Sequence, residues 1–260
     1  LLEEDQRKML VTSRLTPEVF PPQFVNPFFL MLGHIARMTR LSFPIVYTLA
    51  RVVGGRGVVG GSYFLIRMVF PGSALKRIFA LIVTFTGTYF WGWANEGPTV
   101  AYLVHEWTEL DPLFRLSYIP HHLWSKVFML ITFLLILRYL KVPELKYLVA
   151  ACVLGIIAGF TSPVVLATMF PTLVIWFILS IFFLKRKAFS RKYLGTWLAV
   201  FGSLLTVALY HRFIQQGVFP WTSYLWWEKV QYAVTPLNYL QSLGPNFLLF
   251  LFSLPALWKY

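Results

Sequence analysis

"PHHLWSKVFMLITFLLILRYL", residues 120–140, decides how the rest of the chain is read. Its centre is an apolar run without a charge, interrupted by Thr132 alone. Its polar groups sit at the two ends, with His121, His122 and Lys126 before the run and Arg138 after it. A helix needs roughly 20 apolar residues to cross the hydrocarbon core of a bilayer, and only a helix or a closed barrel can do so with its backbone satisfied. This stretch therefore predicts a membrane-spanning helix.

Working outward, the same pattern recurs. Spans are expected at 43–70, 77–94, 120–140, 145–161, 163–184, 193–213 and 238–258. Composition agrees: 58% of the 260 residues are hydrophobic and the mean hydropathy is +0.66. Only 13% are charged, against about 25% in soluble domains. The expected fold is an all-α polytopic transmembrane bundle of about seven spans, with interfacial helices on its extracytoplasmic side. Residues 1–42 form an outer-face segment, and 43–260 form the transmembrane domain. Within 1–42, "FVNPFFLMLGHIARMTR" (24–40) suits a short amphipathic helix at the membrane surface, with His34 and Arg37 interfacial. In the first span, "GGRGVVGG" (54–61) predicts a kink or a close approach to a neighbouring helix, and Arg56 should face protein or water. The chain begins with Leu and carries no signal peptide, so it reads as a fragment whose N-terminal part is missing.

The net charge of +13 would point to nucleic acid in a soluble protein. Here the cations cluster between apolar segments, which points to anionic lipid and topology, and no nucleic-acid partner is expected. One set of connections carries Arg67, Lys76 and Arg77, then Arg138, Lys141 and Lys146, then Lys185 to Lys192, then Lys259. Glu144 is its single acid. The other nine acids fall on the alternate set. The basic side is read as cytoplasmic, and the 95–119 loop, the "TSP" turn at 161–163 and the 214–237 loop as extracytoplasmic. Cys152, the single cysteine, permits no internal disulfide and no cysteine-pair metal site.

The opening run is preceded by "HEWTELDPLFRLSYIPHH" (105–122), where titratable groups gather. Within "TVAYLVHEWTEL" (99–110), a short surface helix would put Glu106 and Glu109 on one face, where two carboxylates can hold a divalent cation such as Mg or Mn, or divide acid and base roles. The bland alternative is a solvated helix anchored by Trp107. Asp111-Pro112 reads as a helix start. Arg115 either clamps a phosphate or pairs with Asp111. His122 and Lys126 stand at i, i+4, so with His121 they form a candidate phosphate cradle, or else snorkel at the interface. Zinc is not expected, because adjacent histidines should point apart and HExxH is absent. His211 and Arg212 end the sixth span on the same side. Trp221, Trp226 and Trp227 read as belt anchors or as platforms for a sugar ring.

"TPEVFPPQFVNPFFLMLGHIARMTRLSFPIVYTLARVVGG" (16–55) resembles the stretch after the first outer loop of GT-C-type membrane glycosyltransferases, the protein mannosyltransferase-like and arabinosyltransferase-like group. Pro21-Pro22 precedes the surface helix, and Arg51-Val-Val-Gly-Gly matches the start of the following apolar helix. The "HEWTE…YIPHH" block looks like one in bacterial membrane proteins described as GT-C-like. The resemblance covers roughly residues 1–180. It implies a bacterial inner-membrane enzyme moving a sugar from a polyprenyl-phosphate donor to an acceptor at the outer face. It also implies a catalytic acid in the first outer loop, for which Glu3, Glu4 and Asp5 are the candidates on the correct side. Arg115, His121, His122 and Lys126 would then meet the donor phosphate, and Glu106 and Glu109 the acceptor or a metal. Two other classes stay open: a transporter or flippase, and a non-catalytic membrane scaffold.

Overall fold

The computed structural model describes residues 27–86, 119–184 and 190–215. Its elements are helices: α1 Pro27–Thr39, α2 Phe43–Val69, α3 Ala74–Thr86, α4 Pro120–Lys141, α5 Leu145–Thr161, α6 Val164–Leu184 and α7 Arg191–Tyr210. α7 runs into a π-helical turn at His211–Gln215. No strand occurs among the described residues.

Pro120–Lys141, Val164–Phe182 and Arg191–Phe213 are long and apolar enough to cross a membrane, and they coincide with the expected spans at 120–140, 163–184 and 193–213. α5 covers the expected span at 145–161, with 17 residues, somewhat short of the usual crossing length. α2 has 27 residues and is long enough, but its arginines and glycines lower its hydropathy below that of the other three. The expected span at 77–94 starts in α3. Its part beyond Thr86, the expected span at 238–258 and the N-terminal residues before Pro27 lie outside the described residues.

The chain divides into two units, Leu1–Gly61 with Ile119–Val230, and Ser62–Tyr118 with Gln231–Tyr260. The division falls inside α2. In the second unit the described residues are the end of α2 and α3, where α3 exposes Leu75, Ile78, Phe79 and Ile82 as a helical stripe.

In the first unit α4 and α5 form an antiparallel hairpin, α7 packs along α5, and α6 closes against all three. The core joins Ile136 of α4, Ala151 and Ala158 of α5, Met169 and Leu173 of α6, and Val200, Leu204 and Val207 of α7. Trp197 of α7 meets the rings of Trp176 and Phe177 edge-on at 5.1 and 5.6 Å.

α5 shows how a membrane helix chooses its faces. Its inner face is small: Ala151, Gly155, Ala158 and Gly159 are buried. Its outer face is large: Leu145, Val149, Val153 and Ile157 are exposed at four-residue spacing. Water would favour the reverse, but lipid does not penalise an exposed leucine, and small residues let backbones approach. A Cβ on Gly155 would lie 3.2 Å from Leu204 Cδ2, and one on Gly159 would lie 2.9 Å from Val207 Cγ1.

The glycine run in α2 works the same way. Cβ atoms at Gly54, Gly57 and Gly61 would meet Leu123 Cβ at 3.0 Å, Val127 Cγ2 at 2.8 Å and Leu130 Cδ1 at 3.0 Å. The contacts advance together along both helices, so α2 up to Gly61 runs parallel to α4. Trp124 Nε1 of α4 donates to the Ala50 carbonyl of α2 at 2.9 Å. Arg56 is exposed.

α1 is the short amphipathic helix expected within 24–40. Phe28, Leu32 and Ala36 cluster with Val46 and Ala50 of α2, and Arg37 faces outward. Arg40 ends it in the left-handed region, at φ 57°. Threonine hydroxyls inside the helices bond locally. Thr132, Thr161, Thr172, Thr196 and Thr206 each donate to the carbonyl four residues back, the arrangement that lipid demands of a polar side chain.

Candidate functional site at the histidine end of the bundle

Antiparallel packing in the first unit brings the start of α4, the α5–α6 turn and the end of α7 to one end. The opposite end holds Arg138, Lys141, Glu144 and Lys146 on the α4–α5 side. The start of α7 joins them there, because Lys192 Nζ donates to the Leu140 carbonyl. Among the described residues of this unit, Arg138, Lys141, Lys146 and Lys192 of the basic set thus lie at one end and the "TSP" turn of the alternate set at the other.

The local sequence explains how α4 presents its histidines. Proline restricts the preceding residue to extended geometry, and Ile119 has φ −71° and ψ 131°. Pro120 takes the first helical position, where its missing N–H costs nothing. The N–H groups of His122 and Leu123 close the first turn onto the Ile119 carbonyl. His121 and His122 therefore stand in the first turn, and Lys126 lies one turn below His122 on the same face.

The two histidine rings do not diverge as adjacency in sequence predicted. Their centroids are 4.1 Å apart at 34°. The physical reason is packing: Phe29 of α1 meets the His121 ring edge-on at 5.1 Å, while His122 leans towards the α5–α6 turn. There His122 Nδ1 lies 3.2 Å from Ser162 Oγ. Ser162 is 1% exposed, so its hydroxyl is held away from solvent. Ser125 Oγ donates to the His122 carbonyl at 2.9 Å. His121, His122 and Lys126 are all half-buried.

His211 reaches the same turn from the other side. Its Nε2 is 3.2 Å from the Gly159 carbonyl. A carbonyl only accepts, so His211 donates from Nε2. This carbonyl lacks a helical donor for a readable reason. α5 stops at Thr161, and the residue four past Gly159 is Pro163, which has no N–H. His211 fills the gap, with Phe160 and Tyr210 against its ring at 5.9 and 5.7 Å. The neighbouring Arg212 is exposed.

The structure thus sets the His121 and His122 rings together with Ser162 beside His122, leaves Lys126 one helical turn along α4, and brings His211 to the same α5–α6 turn. Arg115, Glu106, Glu109, Glu3, Glu4 and Asp5 lie outside the described residues, as do Asp111 and the tryptophans at 221, 226 and 227. Among the described residues no three His, Cys, Asp or Glu side chains gather as a metal site would need. Ser162 was missed by sequence reasoning, which took "TSP" as a turn and no more. The usable signal was Pro163, whose missing donor leaves a carbonyl for another helix to cap, and which makes this turn a meeting point.

The chain is a helical membrane protein, defined by three helices long and apolar enough to span, and its described polar chemistry includes a histidine cluster at one end of the first unit. No family model, curated protein or solved structure matches it.

Proposed function

We propose that this protein is a membrane glycosyltransferase whose histidine end holds the phosphate of a polyprenyl-phosphate sugar donor. The observation that carries this reading is the meeting of His121 and His122 with Ser162 and of His211 with the same turn, at one end of an apolar bundle and one helical turn from Lys126, where a lipid-linked phosphate would sit with its chain among the exposed leucines. N–H donors and a lysine ammonium suit phosphate oxygens. The sequence resemblance supplies the reaction class.

In the proposed reaction an acceptor hydroxyl attacks the anomeric carbon. The new glycosidic C–O bond forms as the bond to the donor phosphate oxygen breaks, and the hydroxyl proton passes to a carboxylate. The leaving phosphate gains negative charge, which His122, Lys126 and Arg115 would stabilise. Glu106 and Glu109, or the acidic Glu3-Glu4-Asp5 segment, are the proposed source of the carboxylate, and Glu106 with Glu109 of any divalent-cation site. The same reading places the histidine end outside, in a bacterial inner membrane, with about seven spans.

The test is radiolabelled sugar transfer from polyprenyl-phosphate donors in membranes containing the full-length protein. His122→Ala removes one phosphate donor and should lower kcat/KM roughly 10- to 100-fold, the worth of a hydrogen bond to a charged group. Glu106→Gln should abolish transfer if Glu106 is the base. Transfer unchanged in both variants at equal protein level overturns the assignment of the site.

A further inference from the structure

We infer that Ser162 is a positioning residue that fixes the tautomer of His122, so that this histidine meets an anionic head group as an N–H donor from Nε2. The second half of this inference rests on the phosphate reading above.

The Ser162 hydroxyl decides the tautomer. It is buried at 1% exposure, and its bond among the described residues is the 3.2 Å contact with His122 Nδ1. Two arrangements fit that distance. In one, Nδ1 carries the proton and donates to Ser162 Oγ. The serine O–H then has no acceptor in a buried corner and bears the full desolvation penalty of an unmade bond. In the other, Ser162 donates to a bare Nδ1, and only a lone pair of the hydroxyl goes unused. A buried orphan donor is the costlier defect, so the second arrangement wins. The neutral imidazole has one proton, which then sits on Nε2.

The placement of Ser162 is itself held. It lies in the turn whose Gly159 carbonyl is capped by His211, and its own N–H donates to the Ala158 carbonyl at 3.0 Å. Two histidines from two helices therefore grip one turn in opposite senses. His211 donates to it, and His122 accepts from it. A histidine with Nε2–H offers a phosphate oxygen a donor without having to take up a proton, whereas the other tautomer would offer that oxygen a lone pair and repel it.

The experiment uses the full chain, 15N-labelled at histidine and reconstituted in lipid nanodiscs at about pH 8, above the ordinary imidazole range. His122→Gln identifies its signals among the five histidines. The expected spectrum shows Nδ1 of His122 as a bare acceptor and Nε2 as protonated. Ser162→Ala should move both nitrogens towards tautomer-averaged shifts, and Ser162→Thr, which keeps the hydroxyl, should leave them in place. A protonated Nδ1 in the unmodified protein overturns the inference, and so does a Ser162→Ala spectrum identical to it. If Ser162→Ala does not fold, the unmodified spectrum still decides. Titration with farnesyl phosphate separates the two readings. Ser162→Ala should weaken its Kd about tenfold, the worth of about 1.4 kcal/mol of donor alignment, and Ser162→Thr should restore it. No binding by the unmodified protein, with the tautomer as stated, sinks the phosphate reading alone.

Discussion

The two ends of the first unit use charge and polarity in opposite ways. At the histidine end, Arg212 apart, His121, His122, Ser162 and His211 are half-buried or buried, and two of these groups bond across the chain. His122 reaches Ser162, forty residues on, and His211 reaches Gly159, fifty-two residues back. At the basic end the charged groups are mostly exposed, and their partners are mostly local. Lys146 pairs with Glu144 two residues away at 2.5 Å and lies over the Tyr147 ring, which Arg138 also faces. Exposed pairs contribute little because water and salt screen them. The charges of the basic end act through their sum rather than through particular partners, and in the proposed topology that sum marks the cytoplasmic side. The histidine end works through geometry, because each buried donor or acceptor there must find a particular partner.

The largest expected effect sharpens this contrast with one substitution at each end. Gly159→Leu, at the histidine end, would drive its side chain into Val207 and Leu166, whose nearest atoms lie 2.9 and 3.0 Å from where the new Cβ would stand. Overpacking of this kind costs about 1–3 kcal/mol or more, so the thermal midpoint in detergent should fall sharply or the protein should fail to fold. Gly195→Leu, near the start of α7 at the basic end, meets nothing within 4 Å. It should leave the midpoint unchanged or slightly raised, since glycine is the poorer helix former. Equal losses in the two variants would break the comparison.

His211→Ala comes next. It strips the donor from the Gly159 carbonyl, and a buried orphan acceptor costs about 1–3 kcal/mol. The thermal midpoint should drop by several degrees, and His211→Gln, which keeps an N–H donor, should recover part of the loss. No drop in His211→Ala would mean that the turn is not held from α7. A smaller effect is expected from Trp124→Phe, which keeps most of the ring but loses the bond to the Ala50 carbonyl, about 0.5–1.5 kcal/mol. The smallest is Lys146→Gln, which removes an exposed pair and should not change the midpoint measurably.

Orientation can be read without any stability change. In a Cys152→Ser background, Arg212→Cys and Lys141→Cys put single thiols at exposed positions on the two ends. An impermeant thiol reagent should label the Arg212 position in intact cells and the Lys141 position only after permeabilisation. The reverse pattern would invert the proposed topology.

Much of this architecture was legible in advance, and for a definite reason. Inside a bilayer a backbone has no water to bond, so a long apolar run must be helical. That made 120–140, 163–184 and 193–213 readable as spans. The alternation of Arg138, Lys141 and Lys146 with the "TSP" turn announced that these two groups would lie at opposite ends of the hairpin. The stretch 24–40 announced a short amphipathic helix, and the structure shows its packed stripe to be Phe28, Leu32 and Ala36. The glycine run at 54–61 announced a close approach, though not the identity of the neighbour.

What the sequence could not supply is which face of an apolar helix meets protein. α6 is apolar all round, so periodicity carries no signal there, and lipid does not force large residues inward. Only the packed structure shows that α5 turns its glycines to α7 and its leucine and valines outward. The candidate site has the same origin. His121 and His122 were visible as residue types, but their tilted contact, the Ser162 hydroxyl beside Nδ1 and the His211 cap on Gly159 join segments far apart in the chain. The sequence was enough to establish a helical membrane protein, because bilayer physics acts on each segment separately. Tertiary structure alone decided which polar groups meet, because a hydrogen bond between helices depends on how they pack, and packing is a property of all of them together.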